Sequence, residues 1–401
     1  MNKVANPAIV IGLGGTGQWV LTYLKKNLLD TYGGVPDTVK LLAFDTTSEK
    51  TEAEVSSDKP TEQRGEERAQ VGNVRLEAGE FIYLGGNIRK ICEDIRREGK
   101  HPHIGSWLQA ERYLQSYDDD AFEISKGAGQ RRPFGRMAVF YDLSTGSPKI
   151  TGKITQAITD VMTANKRQQP IEIYIVASIA GGTGSGMVID MAHIVRKLAE
   201  TRNVSFAVRG FIVMPSTFEP VISVSNIQPN AFAAMRELDR FMLVFDRDYP
   251  IYYSQKPKKP LELYHSIYKS KLFDSCYLLD SVRPNLNLRG IPPKQGVFPA
   301  VAECVTALLD PETGETFSQH YKNVNNDLAK AQSATGMAMY SSLGTYTYIL
   351  PIEDIIKRNT YRASIELLRD HLLNIEEDPV NARLSVSSSG AEIDQIPEKE
   401  S

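Results

Sequence analysis

The 401-residue chain carries 46 Lys+Arg against 49 Asp+Glu, a formal net charge of −3, so there is no cationic excess for a phosphate-backbone binder and no nucleic acid partner is expected. At 41% hydrophobic and 24% charged residues the composition is globular, with roughly two or three domains at this length. No run of about 18 apolar residues and no leader-like opening occur, which predicts a cytoplasmic protein without direct membrane insertion; Cys92, Cys276 and Cys304 are too scattered for a disulfide framework or a metal knuckle, and no metal-ligand set is expected.

Residues 8–12 form a short apolar run ending in a glycine cluster, followed by Trp19, Val20, Leu21, Leu24 and Leu28 at helical spacing. That pattern is buried strand, tight turn, helix. Residues 39–44 read as a second buried strand ending at Asp45-Thr46-Thr47, the order of a parallel α/β sheet. From 48 to about 70 the chain turns polar, an exposed insertion; 80–84 reads as a strand and 87–115 as mostly helical. A glycine-rich stretch, residues 126–135, leads into a helix or strand at 136–143, then a helix at 149–165 and an apolar strand at 171–178. Ala180-Gly-Gly-Thr-Gly-Ser-Gly186 follows, and Met187, Ile189, Met191, Ile194, Val195 and Leu198 continue as a buried helix. A strand at 207–214 is stopped by Pro215; a helix at 230–245 places Phe232, Met235, Leu238 and Met242 on one face. Residues 248–268, rich in Tyr, Lys and Pro, predict a surface excursion, before a strand at 272–279, an apolar helix at 297–309, a strand pair at 337–350, an amphipathic helix at 352–373 and a linker-like tail from about 378.

The glycine loops carry the chemistry. Gly12-Leu-Gly14-Gly15-Thr16-Gly17, followed by Gln18, matches G-x-G-x-x-G between strand and helix. Glycine lets the backbone approach an anion, and a helix N-terminus adds partial positive charge; a tight turn with no ligand satisfies the same pattern. Gly181-Gly182-Thr183-Gly184-Ser185-Gly186 again joins a buried strand to a buried helix. Met187 stands where a Walker A loop needs lysine, which excludes a lysine-dependent phosphate loop. Two such loops on one parallel sheet place two anion cradles on the same carboxyl edge, enough for a nucleoside di- or triphosphate. Mg²⁺ would offset the remaining charge, with Arg131, Arg132 and Arg136 either assisting or serving only as surface ion-pair partners.

The 181–186 loop resembles the signature loop of the tubulin/FtsZ GTPase superfamily, with Ala180 where a further glycine is usual. In the family's order, Gly12 to Gln18 resembles the first nucleotide loop and Asp45-Thr46 the second. Gly127-Ala128-Gly129-Gln130, running on to Arg136, resembles the loop that senses the γ-phosphate, and Pro215-Ser-Thr-Phe-Glu219 the loop that contacts the ribose, with Glu219 facing its hydroxyls. After the 297–309 helix, Asn323-Val-Asn325-Asn-Asp327 and then Gly336 are similar to the family's synergy loop and the glycine that opens its second domain.

The resemblance spans about residues 8–350 and implies an α/β fold: a Rossmann-like parallel-sheet GTPase domain over 1–310 with insertions near 48–125 and 246–270, a central-helix and synergy-loop connection over 311–335, a partial second α/β domain over 336–376, and a flexible tail over 377–401. It further implies GTP/GDP and Mg²⁺ as cofactors, a head-to-tail homo-oligomer open to adaptor proteins, and hydrolysis completed by Asp327, assisted by Asn323 and Asn325, across the subunit interface. Asn230, Asp280 and Phe298 are nominated toward the base, with helix capping for Asn230 and core packing for Phe298 as the plain alternatives. Because Asn325 replaces an acidic residue and the spacing is one residue short, a GTP-binding scaffold that does not hydrolyse is a second expectation. A nicotinamide-dependent oxidoreductase built on Gly12 to Gly17 alone is a third.

Overall fold

In the computed structural model, residues 4–47, 69–98, 101–116, 122, 128–145, 147–218, 226–243, 249–253, 265–268, 271–283, 286–287, 291–344 and 352–369 are described. Strand β1, Ala8–Leu13, is buried along its whole length, as a strand covered on both faces must be. Helix α1 (Gly14–Tyr32) crosses back to β2 (Val39–Asp45), and β3 (Phe81–Tyr83) adds beyond it. After α2 (Arg89–Glu98), α3 (Arg132–Ser144) and α4 (Lys149–Ala164) come β4 (Ile171–Ser178), α5 (Gly182–Thr201) and β5 (Phe206–Val213). Helix α6 (Ile227–Met242), β6 (Ser275–Leu279), α7 (Val297–Leu309), α8 (Pro311–Thr335) and α9 (Ile352–Leu367) follow, with shorter helices and strand pairs between the main elements.

The sheet runs β6–β5–β4–β1–β2–β3 with every neighbour pair parallel. This is the doubly wound α/β plan that alternating strands and helices imply. Its order reverses between β1 and β4, so the connections after those two strands leave on opposite faces. Ile9, Ile11 and Leu13 pack with Met137, Ile154 and Met187 of α3, α4 and α5. Ala8 and Val10 face the other way, onto Val20 and Leu24 of α1 and Val301 and Val305 of α7. A crevice therefore opens between α1 and α5 at the carboxyl ends of β1 and β4, where such sheets bind ligands.

Most elements fall where the periodicity predicts them, including α3, where the pattern admits either helix or strand, and the three cysteines are free and buried. Several expectations are corrected. The stretch 323–327 is no loop: it lies inside α8, which starts at Asp310, whose carboxylate accepts the Thr313 amide at 3.0 Å ahead of Pro311, and stops only at Gly336 in the left-handed region. On α6 the buried face is Ile227, Ala231, Ala234, Leu238, Phe241 and Met242, so Leu238 and Met242 fall as expected while Phe232 is 66% exposed; the small alanines let the helix sit close, and Phe232 is turned about 100° from Ala231. Residues 337–344 hold a single bridge, Ser341 to Tyr277, and no strand; 345–350 lie outside the described residues, as do 48–68 and the tail from 370. Within the expected insertions, β3 joins the main sheet, Ile88, Cys92, Ile104 and Leu108 enter the core, and a hairpin, Tyr249–Tyr252 with His265–Tyr268, leads to buried Tyr253.

At the amino-terminal, lower end of the strands a polar network joins three of them to α8. Arg209 of β5 meets the Glu172 carboxylate of β4 at 2.6 and 3.0 Å and donates to Ser275 of β6 at 3.0 Å, and the Ser275 hydroxyl bonds the Asn325 side chain. Residues Met1–Thr345 form one compact unit and Tyr346–Ser401 a second. No helix among the described residues is long and apolar enough to cross a membrane.

Packing of α3 on α5 is backbone against backbone: a Cβ on Gly186 would fall on the Arg132 carbonyl oxygen and within 2.7 Å of the Arg136 amide. Gly186→Ala is expected to cost about 1–3 kcal/mol, as overpacking does, read as a lower urea midpoint. Beneath this contact Asp190 accepts from Arg136 at 2.8 Å and from the Tyr253 hydroxyl at 2.9 Å. Burial pushes the nearby His193 imidazole down to about 4, with the Asp190 charge opposing the shift. Since the native ring resists protonation while the unfolded one titrates near pH 6.5, stability is full above about 6.5 and falls as pH drops toward about 4. His193→Phe should remove that part of the acid sensitivity in urea melts taken between those pH values.

Candidate nucleotide-binding site

Register places the loops. Leu13, the last residue of β1, stands opposite Phe44 of β2 and Ala177 of β4, so Gly14, Asp45 and Ser178 open their loops at one height. The first loop is folded on itself, a Cβ at Gly12 lying 2.6 Å from the Gly17 carbonyl carbon, and Gly14 turns the chain with φ 68°. It also touches the loop after β4, for a Cβ on Gly14 would lie 3.2 Å from both the Thr183 Cβ and the Gly184 amide nitrogen. Thr183 reaches the loop after β2 through a 2.8 Å bond between its hydroxyl and that of Thr46. Asp45 folds its carboxylate back onto the Thr46 amide at 2.7 Å.

The stretch before α3 closes the ring. The Arg131 amide donates to Ala128 at 2.9 Å across Gly129 and Gln130, both in the left-handed region. A Cβ on Gly182 would meet the Arg131 nitrogen at 2.7 Å and the Ala128 Cβ at 3.0 Å. Helices α1, α3 and α5 thus begin side by side. None has a side-chain cap at its N-terminus and none has an acidic residue in its first turn. Three helix starts with no side-chain cap and no acidic residue in their own first turns favour a multiply charged anion.

The structure brings together Gly12, Gly14, Gly15, Thr16, Gly17, Gln18, Asp45, Thr46, Ala128, Gly129, Gln130 and the whole of 181–186 around this crevice. Gly127 and Glu219 lie outside the described residues. Asp280 stands at the end of β6, where its carboxylate accepts from the Ser216 hydroxyl, and Phe298 at the start of α7 lies 6.2 Å, ring to ring, from Phe218. Phe298 is buried in the α1–α7 core, the plainer of its two readings. Ser216 lies within the 215–219 stretch, but no feature of the sequence sets it apart from its neighbours there. Asn230 is buried beside the crevice with both side-chain hydrogens committed to backbone, at the Gln130 and Ala180 carbonyls.

Other residues are placed elsewhere. Arg132 holds Glu237 at 2.6 Å and the Ser185 carbonyl at 3.1 Å, and Arg136 holds Asp190, so both are committed to protein partners. Asn323, Asn325 and Asp327 sit on α8 at the opposite end of the sheet, where Asn325 meets Ser275 and exposed Asp327 pairs with Lys330 at 3.8 Å. Among the described residues no group of three or more His, Cys, Asp and Glu could hold a metal by itself. Asp45, at the end of β2, brings a carboxylate to this rim that could join in holding a cation.

Thr183→Val keeps the shape but strands the buried Thr46 hydroxyl. A loss of about 1–3 kcal/mol in urea stability and weaker nucleotide-induced thermal stabilisation are expected.

Among solved structures the chain resembles CetZ2 from Haloferax volcanii in its GTPgS-bound protofilament, at 15% identity and a TM-score of 0.39 over 76% of this chain and 59% of that one. It resembles TubZ of Bacillus thuringiensis serovar israelensis in a GTPyS-form protofilament at 15% identity and a TM-score of 0.35, with 76% and 55% covered. CetZ from Methanosaeta thermophila gives 13% identity and a TM-score of 0.34, with 76% and 52% covered. The chain therefore spans less than two thirds of the length of each. A search of the curated proteins returns no match. A family model described as "Tubulin like" matches residues 9–369, from the second residue of β1 through α9, and on that match this chain belongs to the tubulin-like family.

Proposed function

We propose that this chain binds GTP and GDP in the crevice between α1 and α5 and hydrolyses GTP across a head-to-tail contact between copies. The observation that carries the reading is the contact of the 12–17 turn with the 181–186 turn, tied on to Thr46. A dinucleotide needs one glycine turn; a triphosphate makes use of both, together with the amides of 128–131. Backbone donors fixed before substrate arrives need no reorganisation as charge spreads in phosphoryl transfer, so they suit this reaction without a lysine. When bound, Mg²⁺ would neutralise phosphate charge at this rim, with Asp45 the residue placed to hold it.

With Asp45 given to the cation, the glycine turns among the described residues offer no further carboxylate to orient water. The lower end of the molecule has several. Asp327 lies two residues beyond Asn325 on α8, and Asp310 and Glu312 open α8 directly after Leu309, whose carbonyl accepts the Asn6 amide just ahead of β1. In a head-to-tail stack this end would meet the nucleotide rim of the next copy, and a heterologous contact that does not close makes an open filament. The helical setting of Asp327, exposed and paired with Lys330, favours the second reading, a GTP-dependent scaffold without turnover.

Titration with GTP, GDP, ATP and NAD, run with light scattering, tests the binding half: saturation by guanine nucleotides is expected and saturation by NAD alone would overturn it. For the chemical half, turnover per subunit should rise with protein concentration, and Asp327→Ala or Glu312→Gln should lower it about tenfold or more with GTP affinity retained. Turnover that is independent of concentration excludes a shared site, and none at any concentration leaves the scaffold.

A further inference from the structure

We propose that Asn230 is a positioning residue for the phosphate cradle: its side-chain amide sets the gap between the 128–131 turn and the end of β4, and it does not read the base. The inference rests on nucleotide binding in the crevice, as proposed above. Asn230 is 8% exposed, in the first turn of α6. Its Nδ2 donates to the Gln130 carbonyl at 2.9 Å and to the Ala180 carbonyl at 3.1 Å. A primary amide has two N–H bonds, and both are in use, so no donor is left for a base. The two acceptors belong to different loops, and two carbonyl dipoles brought so close need a shared donor between them.

Gln130 shows why that donor is needed. It is a non-glycine residue at φ 56°, a conformation that costs side-chain-bearing residues energy and persists where surroundings impose it. Asn230 holds the carbonyl of that residue. One helical heptad later, on the same side of α6, Glu237 receives Arg132 at 2.6 and 3.0 Å, while Arg132 also donates to the Ser185 carbonyl at 3.1 Å. Each fastening pairs one point near the start of α3 with one carbonyl at the glycine turn, Ala180 just before it in one case and Ser185 within it in the other. Helix α6 therefore spans both phosphate loops like a brace, and whatever orders the loops orders α6 with them.

The experiment compares wild type with Asn230→Asp and Asn230→Ala by GTP titration at pH 8 and pH 5.5. The wild type run at each pH controls for titration of the nucleotide and for any effect of pH that the variants share with it. At pH 8 the carboxylate introduced by Asn230→Asp faces two carbonyl oxygens with no proton to give, and GTP affinity should fall about tenfold or more, the scale of a lost buried hydrogen bond. At pH 5.5 a protonated carboxyl regains one donor, and the gap to wild type should narrow severalfold for Asn230→Asp but not for Asn230→Ala. Equal affinity of all three proteins, or a deficit in Asn230→Asp that ignores pH, overturns the proposal. Should the variants not fold, hydrogen exchange on the wild type decides. Protection of 227–237 on adding GTP, in step with 128–136 and 180–186, supports it, and unchanged exchange in 227–237 overturns it. A wild type that GTP never saturates refutes the nucleotide reading itself, and the brace with it.

Discussion

Direct backbone contact among three helix starts is the constraint from which the rest follows. Where α1, α3 and α5 begin, the chain has no room for a side chain at Gly12, Gly182 or Gly186, and this closeness is what lets amides from separate turns face one crevice. The parallel sheet supplies the register and the order reversal between β1 and β4 supplies the opening. Neither would gather donors without the glycines. The absence of acidic residues from all three first turns keeps the local potential favourable to an anion, an electrostatic choice layered on a steric one.

Around the crevice, polar side chains mostly hold loops to one another. Thr46 meets Thr183, Arg132 joins Ser185 to Glu237, and Asn230 joins Gln130 to Ala180. Arg132 and Arg136 are thus spent on shape, and in the function proposed above the recognition of phosphate falls to main-chain groups, there being no lysine in the 181–186 turn.

Much of this was legible in the sequence because a strand–glycine–helix unit is a local pattern: apolar run, glycine cluster, apolar helix, all within about twenty residues. The α/β plan followed from the order of such units. Partnerships across the chain were not legible. Nothing near residue 132 announces Glu237, and nothing near 230 announces two carbonyls 50 and 100 residues away. At 323–327 a motif match outweighed local signals that pointed correctly to helix, since Asp310-Pro311 is a helix start and Gly336 a helix end. Phe232 was misplaced for a different reason, since periodicity marks large apolar positions, whereas Ala231 and Ala234, with little hydrophobic signal, help to form the buried stripe.

At the far end of the strands, Glu172, Arg209, Ser275 and Asn325 link three adjacent strands and α8 in one chain of bonds. Removing either member of the mostly buried charge pair would leave the other without the partner that compensates its burial. One guanidinium therefore keys two neighbouring strands to its own and, through the Ser275 hydroxyl, to α8.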